Sequence, residues 1–295
     1  MKKALVTGAA GFIGSHLCEY LVKKGIEVRA FVHYNSQNAW GWLENSSSRG
    51  SLEIASGDLR DFDSVSRAIK GVDSVFHLGA LIGIPYSYES PLAYVRTNVE
   101  GTYNILESSR REGVNRVLVT STSEVYGTAR YVPIDEKHPL QPQSPYSASK
   151  IGADNLALSY FMSFKTPVVV ARPFNTYGPR QSARAIIPTI ATQMLAKKKQ
   201  VELGNLAPVR DLTFVEDTVS AMHAIVSNDR FLGQTVNIGS GQTASIGELF
   251  EKLALITGIR PEIKQDPRRV RPDASEVLQL VSNTALLRSN SDWQP

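Results

Sequence analysis

The chain has 295 residues, of which 42% are hydrophobic and 20% are charged, and its formal net charge is +4. This is an ordinary globular composition, and the length suits one large domain or two modest ones. The small, scattered positive charge gives no indication of nucleic-acid binding, and no apolar run reaches the roughly 18 residues of a membrane-spanning helix.

The single cysteine, Cys18, cannot form an internal disulfide, which is typical of a protein from a reducing compartment. Because Cys18 falls within the first predicted helix, we expect a small buried side chain rather than a reactive thiol. We therefore expect a cytoplasmic protein that has no metal site and binds neither nucleic acid nor a membrane.

The first half of the chain predicts strands that alternate with helices. The polar residues 35–50 are expected to form a loop with a short helical piece. The alternation implies βαβ units and a parallel sheet, and the unbroken apolar run at residues 117–119 is typical of a strand covered on both faces. We expect strands at residues 4–7, 28–32, 52–56, 74–78, 116–120 and 167–171, and helices at residues 15–24, 63–70, 98–111 and 146–164.

The pattern loosens after residue 173. The strand at 235–238 is expected to return to the main sheet, and Ser245 with Glu248 predicts a capping box at the start of the last helix. Residues 260–272, rich in Pro and Arg, are expected to be irregular. We predict a main domain over residues 1–175 and a smaller, interleaved substrate lobe over residues 176–295. Within this lobe we expect helices at residues 186–196, 216–226 and 245–257, and a strand at residues 210–215.

A glycine-rich turn, Gly8-Ala9-Ala10-Gly11-Phe12-Ile13-Gly14, lies between the first strand and the first helix. Glycines let a pyrophosphate approach the backbone, and the helix N-terminus supplies N–H groups and the positive end of the helix dipole. In this context the turn predicts a dinucleotide site in a Rossmann-type, doubly wound parallel α/β sheet. The predicted contacts in this turn are Gly8, Gly11, Phe12, Ile13 and Gly14.

The end of the second strand leaves the choice between NAD and NADP open. An acidic residue usually binds the ribose of NAD at this position, but the stretch Val32-His33-Tyr34-Asn35-Ser36 contains neither an acid nor an arginine. His33 or Ser36 would lie near a 2′-phosphate, and Asp58 could bond the adenine amino group. The predicted cofactor contacts also include Leu59, Leu78, Gly79, Ala80 and Pro173.

Tyr146 and Lys150 are four residues apart, so they share one face if this stretch is helical. The lysine would then lower the pKa of the phenol and make it a usable base. Glu124 follows an apolar run and offers a second proton-transfer group. Together with the glycine turn, these residues predict hydride chemistry combined with a carbon-acid step.

Four patterns together resemble the extended short-chain dehydrogenase/reductase family: the glycine turn, Asp58-Leu59, Tyr146-x-x-x-Lys150 and residues 172–179. Within this family the motif Thr122-Ser123-Glu124-Val125-Tyr126-Gly127 is similar to that of the nucleotide-sugar 4,6-dehydratases. Its Ser-Glu pair is closer to the GDP-mannose type than to the Asp-Glu of the dTDP-glucose type. Residues 84–88 and 275–277 look like the branch that prepares N-acetylated sugars for legionaminic-type acids.

The resemblance implies an internal redox cycle. Tyr146 would take the C4 hydroxyl proton while hydride leaves C4, Lys150 would hold the cofactor ribose, and Thr122 would bind the C4 oxygen. Glu124 would then remove the C5 proton and deliver it to the departing C6 hydroxyl, with Ser123 orienting it. Bound NAD or NADP would end the cycle unchanged.

The same resemblance implies how a nucleotide sugar would be held. Arg180, Arg210 and Arg271 are the candidate cations for the diphosphate, Asn175 would donate to a phosphate or sugar oxygen, and Ser87 and Tyr88 would touch the sugar. Two helices, at residues 98–111 and 146–164, would pair with those of a second copy to give a homodimer through a four-helix bundle.

Three other interpretations stay open. A nucleotide-sugar 4-epimerase would also use Tyr146 and Lys150, but Glu124 would have no clear role in it. A UDP-glucuronate decarboxylase shares a Thr-Ser-Glu-x-Tyr-Gly motif, and it would oxidise C4 and then lose the C5 carboxylate. A non-catalytic dinucleotide sensor is disfavoured because the chain keeps the Tyr–Lys pair together with Glu124. The sequence leaves the identities of the nucleotide and the sugar undecided.

Overall fold

The computed structural model describes residues 1–267 and 276–295. At its centre lies a seven-stranded sheet in the order β10-β6-β5-β4-β1-β2-β3, in which every pairing is parallel. The order reverses between β1 and β4, and a crevice for a ligand opens beyond the carboxyl ends of strands at such a point. The strands are β1 Lys3–Thr7, β2 Glu27–His33, β3 Leu52–Gly57, β4 Ser74–His77, β5 Arg116–Thr120, β6 Val168–Pro173 and β10 Thr235–Ile238.

Helices cover both faces of this sheet, which confirms the predicted doubly wound α/β fold. On one face Leu17 and Met222 pack with Leu118 of β5, while Val117 and Val119 of the same strand point to the opposite core. The unbroken apolar run of β5 is therefore buried on both sides, as predicted. The covering helices are α1 Phe12–Lys23 and α8 Val215–Val226 on the first face, and α2 Phe62–Ile69, α5 Gly101–Arg111 and α6 Pro145–Phe164 on the second.

Several short elements between β4 and β5 were not predicted. The helix expected at residues 98–111 begins earlier, because α4 Pro91–Tyr94 continues through a π-helical segment, Val95–Glu100, into α5. The helix α3 Ile84–Glu89 precedes them. The polar loop after β2 contains two 3₁₀ turns, Gly41–Asn45 and Arg49–Ser51, in agreement with the expected short helical piece.

The second half of the chain builds a smaller lobe around its own apolar cluster. The predicted capping box is confirmed, because Ser245 accepts from the N–H of Glu248 and the Glu248 side chain accepts from the N–H of Ser245. The lobe contains β7 Asn175–Tyr177, α7 Ile186–Leu195, β8 Gln200–Leu203, β9 Val209–Phe214, β11 Thr243–Ser245, α9 Ile246–Thr257, β12 Glu262–Gln265 and β13 Gln279–Leu280.

The expectation that residues 260–272 are irregular is wrong for β12, which pairs in parallel with β8. Residues 268–272 of that range lie outside the described residues. The side chains of β12 are all exposed, and its sequence has no apolar alternation that would predict a strand. The strand is held by the backbone hydrogen bonds that it forms with β8. The predicted return of β10 to the main sheet, beside β6, is confirmed. After β13, α10 Ala285–Asn290 and Trp293 pack on the core beneath α1 and α8. The division near residue 175 stays a prediction.

Two further predictions concern the Cys18 thiol and the absence of a membrane-spanning helix. Cys18 is fully buried in the core against the main sheet, and burial raises the pKa of its thiol well above the usual value, so it is inert as expected. Among the described residues, no helix is long and apolar enough to cross a bilayer.

Candidate active site

The glycine turn is shaped by close backbone contacts. Gly8 has a φ of +66°, and a Cβ on it would lie 2.9 Å from the backbone nitrogen of Gly79. A Cβ on Gly14 would lie only 2.2 Å from the carbonyl oxygen of Gly8. The sequence therefore needs glycine at both positions.

The first turn of α1 fits an anionic ligand. Gly11 is the N-cap residue of α1, and no side-chain hydrogen bond caps the helix there, so its first N–H groups are the ones that would meet an anion. Phe12 and Ile13 are the first two residues of that helix. These observations match the diphosphate of a dinucleotide, as the sequence predicted.

The carboxyl ends of β1 and β4 are tied together at the same place. The Thr7 hydroxyl accepts from the N–H groups of Leu78, at 3.1 Å, and Gly79, at 2.9 Å. A Cβ on Gly79 would meet the side chain of Leu59 at 2.7 Å. The structure thus gathers Leu59, Leu78 and Gly79, with Ala80 next in the chain, beside Gly8. Pro173 ends β6, farther along the same edge of the sheet.

The residues after β2 and β3 are arranged differently. His33 and Ser36 are exposed, and their roles stay predictions. Asp58 forms an ion pair with Arg60, with 2.5 Å between Oδ2 and Nη2, and hydrogen bonds from Arg60 lower the pKa of the Asp58 carboxyl despite partial burial. This pairing favours a role for Asp58 in holding its own turn rather than in binding adenine.

The sequence did not predict that Trp40, in the loop after β2, would lie close to the glycine turn. The loop after β2 folds back onto the glycine turn, because Trp42 N–H donates to the carbonyl oxygen of Ala10 at 3.2 Å. The indole Nε1 of Trp40 is buried and has no hydrogen-bond partner within residues 1–267 and 276–295. An aromatic residue in a polar loop was the only available signal.

Local capping places the tyrosine and the lysine. Ser144 caps α6 through a capping box with Ser147, and Pro145 occupies the first helical position. Tyr146 therefore lies in the first turn and Lys150 one turn later, and both are buried. The helical spacing predicted from the sequence is confirmed.

The motif after β5 brings its polar groups to the same phenol. Thr122 caps a 3₁₀ turn, Ser123–Tyr126, by accepting from the N–H of Glu124 at 3.2 Å. The Thr122 side chain also hydrogen bonds to Tyr146, and the Glu124 charge acts on the same phenol. Ser123 is buried beside them. Thr122, Glu124 and Tyr146 thus form one cluster.

The electrostatics of the Tyr–Lys pair differ from the prediction. Burial raises the pKa of Tyr146 well above its usual value, and the negative charge of Glu124 adds to this, while the Thr122 hydrogen bond lowers it. Lys150 donates from Nζ to the carbonyl oxygen of Thr120 at 2.5 Å, and burial lowers the pKa of Lys150 to about 8. The expected lowering of the tyrosine pKa is therefore wrong for this arrangement, because desolvation by burial is the largest cause of the shift.

The predicted substrate contacts are only partly gathered. Asn175 begins β7, and its Oδ1 is buried without a hydrogen-bond partner among the residues described. Arg210 on β9 is buried, and its Nη2 lies 4.0 Å from Oε1 of Glu276. Ser87 is buried and donates to the carbonyl oxygen of Ile84 at 2.6 Å, whereas Tyr88 is exposed.

Arg180 and Arg271 are the other two cations that were predicted to bind the diphosphate. Arg180 forms an ion pair with Glu19 at 2.8 Å and donates to the Ser15 hydroxyl at 3.1 Å, so it clamps the loop after β7 onto α1. This ion pair favours a structural role over diphosphate binding. Arg271, and Ser275 of the sugar-branch pattern, lie outside the described residues.

Tyr94 was not predicted. It ends α4, is fully buried, and packs edge-on against Tyr146 with 6.2 Å between ring centroids. Its hydroxyl donates to the carbonyl oxygen of Gly83 at 2.5 Å. The ring forms an apolar wall for the phenol, and no local spacing rule could have paired residues so far apart in sequence.

A doubly wound sheet with a glycine turn and a Tyr-x-x-x-Lys helix defines an extended short-chain dehydrogenase/reductase. The family model described as GDP-mannose 4,6 dehydratase matches residues 5–295. The chain belongs to that family.

Individual relatives carry different activities in their names. A dTDP-glucose 4,6-dehydratase of Streptomyces griseus is 36% identical over 251 residues, covering 83% of this chain and 75% of the relative. The crystal structure of a dTDP-glucose 4,6-dehydratase of Streptomyces venezuelae, with NAD and TYD bound, has a TM-score of 0.89 at 28% identity and covers 99% of this chain and 92% of that chain. A Thermus thermophilus UDP-glucose 4-epimerase with NAD has a TM-score of 0.88 at 29% identity, covering 99% and 94%.

The glycine turn gives a direct test of the cofactor site. We expect Gly14→Ala to weaken the binding of NAD or NADP about tenfold or more, because the added Cβ must push the turn apart and overpacking costs about 1–3 kcal/mol. Calorimetric titration measures the affinity. Gly50→Ala is the matched control, since a Cβ there meets nothing within 4 Å. Unchanged binding by a folded Gly14→Ala variant would refute the assigned site.

Proposed function

We propose that the protein is a nucleotide-sugar 4,6-dehydratase, which converts a nucleotide-linked hexose or N-acetylhexosamine to its 4-keto-6-deoxy form. The observation that carries this proposal is the cluster of Thr122, Glu124 and Tyr146 at the carboxyl end of β5. A phenol alone serves oxidation at C4. A carboxylate beside it supplies the second base that removal of a C5 proton requires.

NAD or NADP is the proposed cofactor, supported by the NAD in related structures and by the fit of the glycine turn to a diphosphate. When bound, the nicotinamide would accept hydride from C4 of the sugar and return it to C6. Gly8, Gly14 and the first turn of α1 would hold the diphosphate, and Lys150 would hold the nicotinamide ribose.

The oxidation step depends on how the phenol is held. Because the pKa of Tyr146 is raised by burial, its phenolate is a strong base that needs stabilisation. The Thr122 hydrogen bond and the ammonium of Lys150, one turn along α6, provide it. Tyr146 then takes the C4 hydroxyl proton, with Thr122 also positioned to bind the C4 oxygen.

The elimination step belongs to Glu124. Once C4 is a ketone, the C5 proton becomes acidic, and Glu124 removes it as a general base. The same carboxyl then passes this proton to the departing C6 hydroxyl, so the C5–H and C6–O bonds break and water leaves. Ser123, a weak acid buried in the same turn, orients the carboxyl. C5 finally takes up a proton, which balances the one that Tyr146 removed from the C4 hydroxyl.

A 4-epimerase is the second candidate. Its support is the similarity to the Thermus thermophilus epimerase, whose TM-score of 0.88 is close to that of the dehydratase structure. Epimerisation needs oxidation and reduction at C4 alone, which Tyr146 and Lys150 provide. The position of Glu124 beside the phenol is the observation that favours dehydration.

The identity of the product separates these reactions. We expect purified protein, given UDP-, GDP- and dTDP-linked hexoses and N-acetylhexosamines, to convert at least one of them with loss of one water, as measured by mass spectrometry. Loss of carbon dioxide from a UDP-uronate would instead identify a decarboxylase. An unchanged mass with an altered sugar spectrum by nuclear magnetic resonance would identify a 4-epimerase.

Replacing the second base should stop the cycle midway. We expect Glu124→Gln to reduce turnover about 10²–10⁴-fold, the usual contribution of a general base. C4 oxidation should still occur, and the absorbance of the reduced nicotinamide should show that it accumulates. Solvent deuterium should stay out of C5. Glu112→Gln, an exposed carboxylate at the end of α5, is the control. Dehydration at the normal rate by Glu124→Gln would show that another group is the base.

We also propose a homodimer that forms through α5 and α6. Tyr103, Met162 and Phe164 on these helices are 42%, 70% and 54% exposed, an apolar surface that a second copy would cover.

Light scattering at micromolar concentration tests this assembly. We expect twice the mass of one chain, and we expect Met162→Glu to shift the protein toward the monomer because a charge would be buried. Leu255→Glu, at a still more exposed position on α9, should have no effect. A monomeric wild-type protein would rule out the dimer.

A further inference from the structure

A buried ion pair lies directly beneath the Tyr–Lys pair. Asp154 is on α6, one turn beyond Lys150, and Arg172 is on β6; both are almost completely buried. The Arg172 guanidinium donates to Oδ2 of Asp154 from Nε at 3.1 Å and from Nη2 at 2.9 Å. Such a pair is weak evidence for stability, because removing two charges from water costs about as much as their attraction returns.

A chain of hydrogen bonds through Tyr126, Asn237 and Glu136 holds the pair in place. Arg172 donates from Nη1 to the Tyr126 hydroxyl at 3.1 Å, and Tyr126 donates to Oδ1 of Asn237 on β10 at 2.7 Å. The N–H of Asn237 donates to the Glu136 carboxylate at 2.9 Å. Arg172 therefore has a fixed position, and Asp154 can move little relative to the end of β5.

Ser121 connects this pair to the reacting side chains. Its hydroxyl donates to Oδ2 of Asp154 at 2.8 Å, and its N–H donates to the carbonyl oxygen of Ala171 at 2.7 Å. Ser121 lies between Thr120, whose carbonyl accepts from Lys150, and Thr122, whose side chain bonds Tyr146. The Asp154 carboxylate thus holds in place the segment Thr120–Thr122, which forms hydrogen bonds to both Lys150 and Tyr146.

Asp154 also acts on the charge of Lys150. Burial lowers the pKa of Lys150 to about 8, and the negative charge of Asp154 opposes this shift. Oδ1 of Asp154 is buried and has no hydrogen-bond partner in the described part of the chain. Burial raises the pKa of the Asp154 carboxyl, and Arg172, the Ser121 hydroxyl and Lys150 oppose that shift, so these three partners favour the charged carboxylate.

The other charged groups around Lys150 do not replace this effect. His77 on β4 is fully buried, and burial together with Lys150 lowers its pKa to about 3, so it is neutral. Arg172 on β6 is cationic. Tyr146 on α6 is a phenol whose pKa is raised, and the charge of Glu124 acts on that phenol. Asp154 is therefore the buried anion that faces Lys150 from beneath.

We propose that Asp154 is a positioning residue for the reaction: its carboxylate, fixed by Arg172 and Ser121, places a negative charge one helical turn from Lys150 and holds the end of β5 against which Tyr146 and Lys150 are set. This inference rests on the proposed C4 oxidation by Tyr146 and Lys150. It depends neither on the identity of the nucleotide sugar nor on the steps after oxidation.

The test is the pH dependence of Asp154→Asn. A working Lys150 is charged below its pKa of about 8 and neutral above it, so activity should fall on the alkaline side. This fall in activity is the alkaline limb of the pH–activity profile. Without the Asp154 charge, the pKa of Lys150 drops further, and the alkaline limb should move about one pH unit lower. At the optimum pH we expect kcat about tenfold lower and KM little changed. Asp154→Glu should return the limb toward the wild-type position.

Glu107→Gln is the matched control. Glu107 on α5 is also largely buried and paired with two arginines, Arg110 and Arg111, but it lies away from Lys150. This variant should lower thermal stability without moving the alkaline limb. An unmoved limb in a folded Asp154→Asn variant would overturn the proposal and leave the pair with a structural role only.

A second variant covers the case in which Asp154→Asn does not fold. Ser121→Ala keeps both charges but removes the bond between the carboxylate and the peptide. We expect about a tenfold loss of kcat with the limb unmoved, and an unchanged kcat would overturn the positioning role.

Dinucleotide affinity provides a readout that does not require turnover. Titration calorimetry across the neutral to alkaline range should show binding of NAD or NADP weakening at lower pH in Asp154→Asn than in the wild-type protein, and coincident curves would count against the proposal. If the wild-type protein converts no nucleotide sugar, the proposed function fails, while this binding measurement still decides the role of Asp154.

Discussion

The site depends on burying an ammonium and a phenol side by side at the carboxyl end of β5. Water would stabilise both charged forms, and its removal lowers the pKa of Lys150 and raises that of Tyr146. Both shifts favour the neutral side chains, whereas chemistry at a sugar alcohol requires a phenolate and a cation. The surrounding structure must therefore supply the stabilisation that the lost water would have given.

That stabilisation comes from groups at the ends of several elements. The carbonyl of Thr120 satisfies the ammonium, the side chain of Thr122 satisfies the phenol, and Asp154 provides a negative charge beneath them. These groups sit at or beside the end of β5, which is buried on both faces and cannot shift without disturbing two cores. A rigid strand thus fixes the groups that compensate for desolvation, which is the usual logic of a preorganised site.

How much of this arrangement is visible in the sequence depends on the distance between interacting residues. The glycine turn, the Tyr–Lys spacing and the capping box of α9 follow local rules, and the structure has all three. The alternation of strands and helices likewise predicted the doubly wound sheet, because short apolar runs separated by longer helical segments are typical of βαβ units. Strands such as β12, of four exposed residues, carry no such run.

Long-range pairings could not be derived in this way. Arg180 was expected to meet a diphosphate, yet its partner Glu19 is 161 positions earlier in the chain. Tyr94 reaches the site from the helix α4 and Trp40 from the loop after β2, and the Asp154–Arg172 pair joins a helix to a strand. The predicted direction of the Tyr146 pKa was wrong for a related reason: spacing reveals a neighbouring cation, but it does not reveal how completely both groups are buried.

In the proposed cycle, the Glu124 carboxylate is the group that selects the reaction that follows C4 oxidation. Dehydratases, epimerases and decarboxylases can share this oxidation, so the Tyr–Lys pair cannot distinguish them. A 4-ketone makes the C5 proton acidic in every case, and an epimerase must avoid removing it. A carboxylate close enough to act on the Tyr146 phenol would be a hazard in an epimerase, since it would drain the keto intermediate into elimination. The same carboxylate is a requirement in a dehydratase, so the position of Glu124 beside the phenol supports the proposed loss of water.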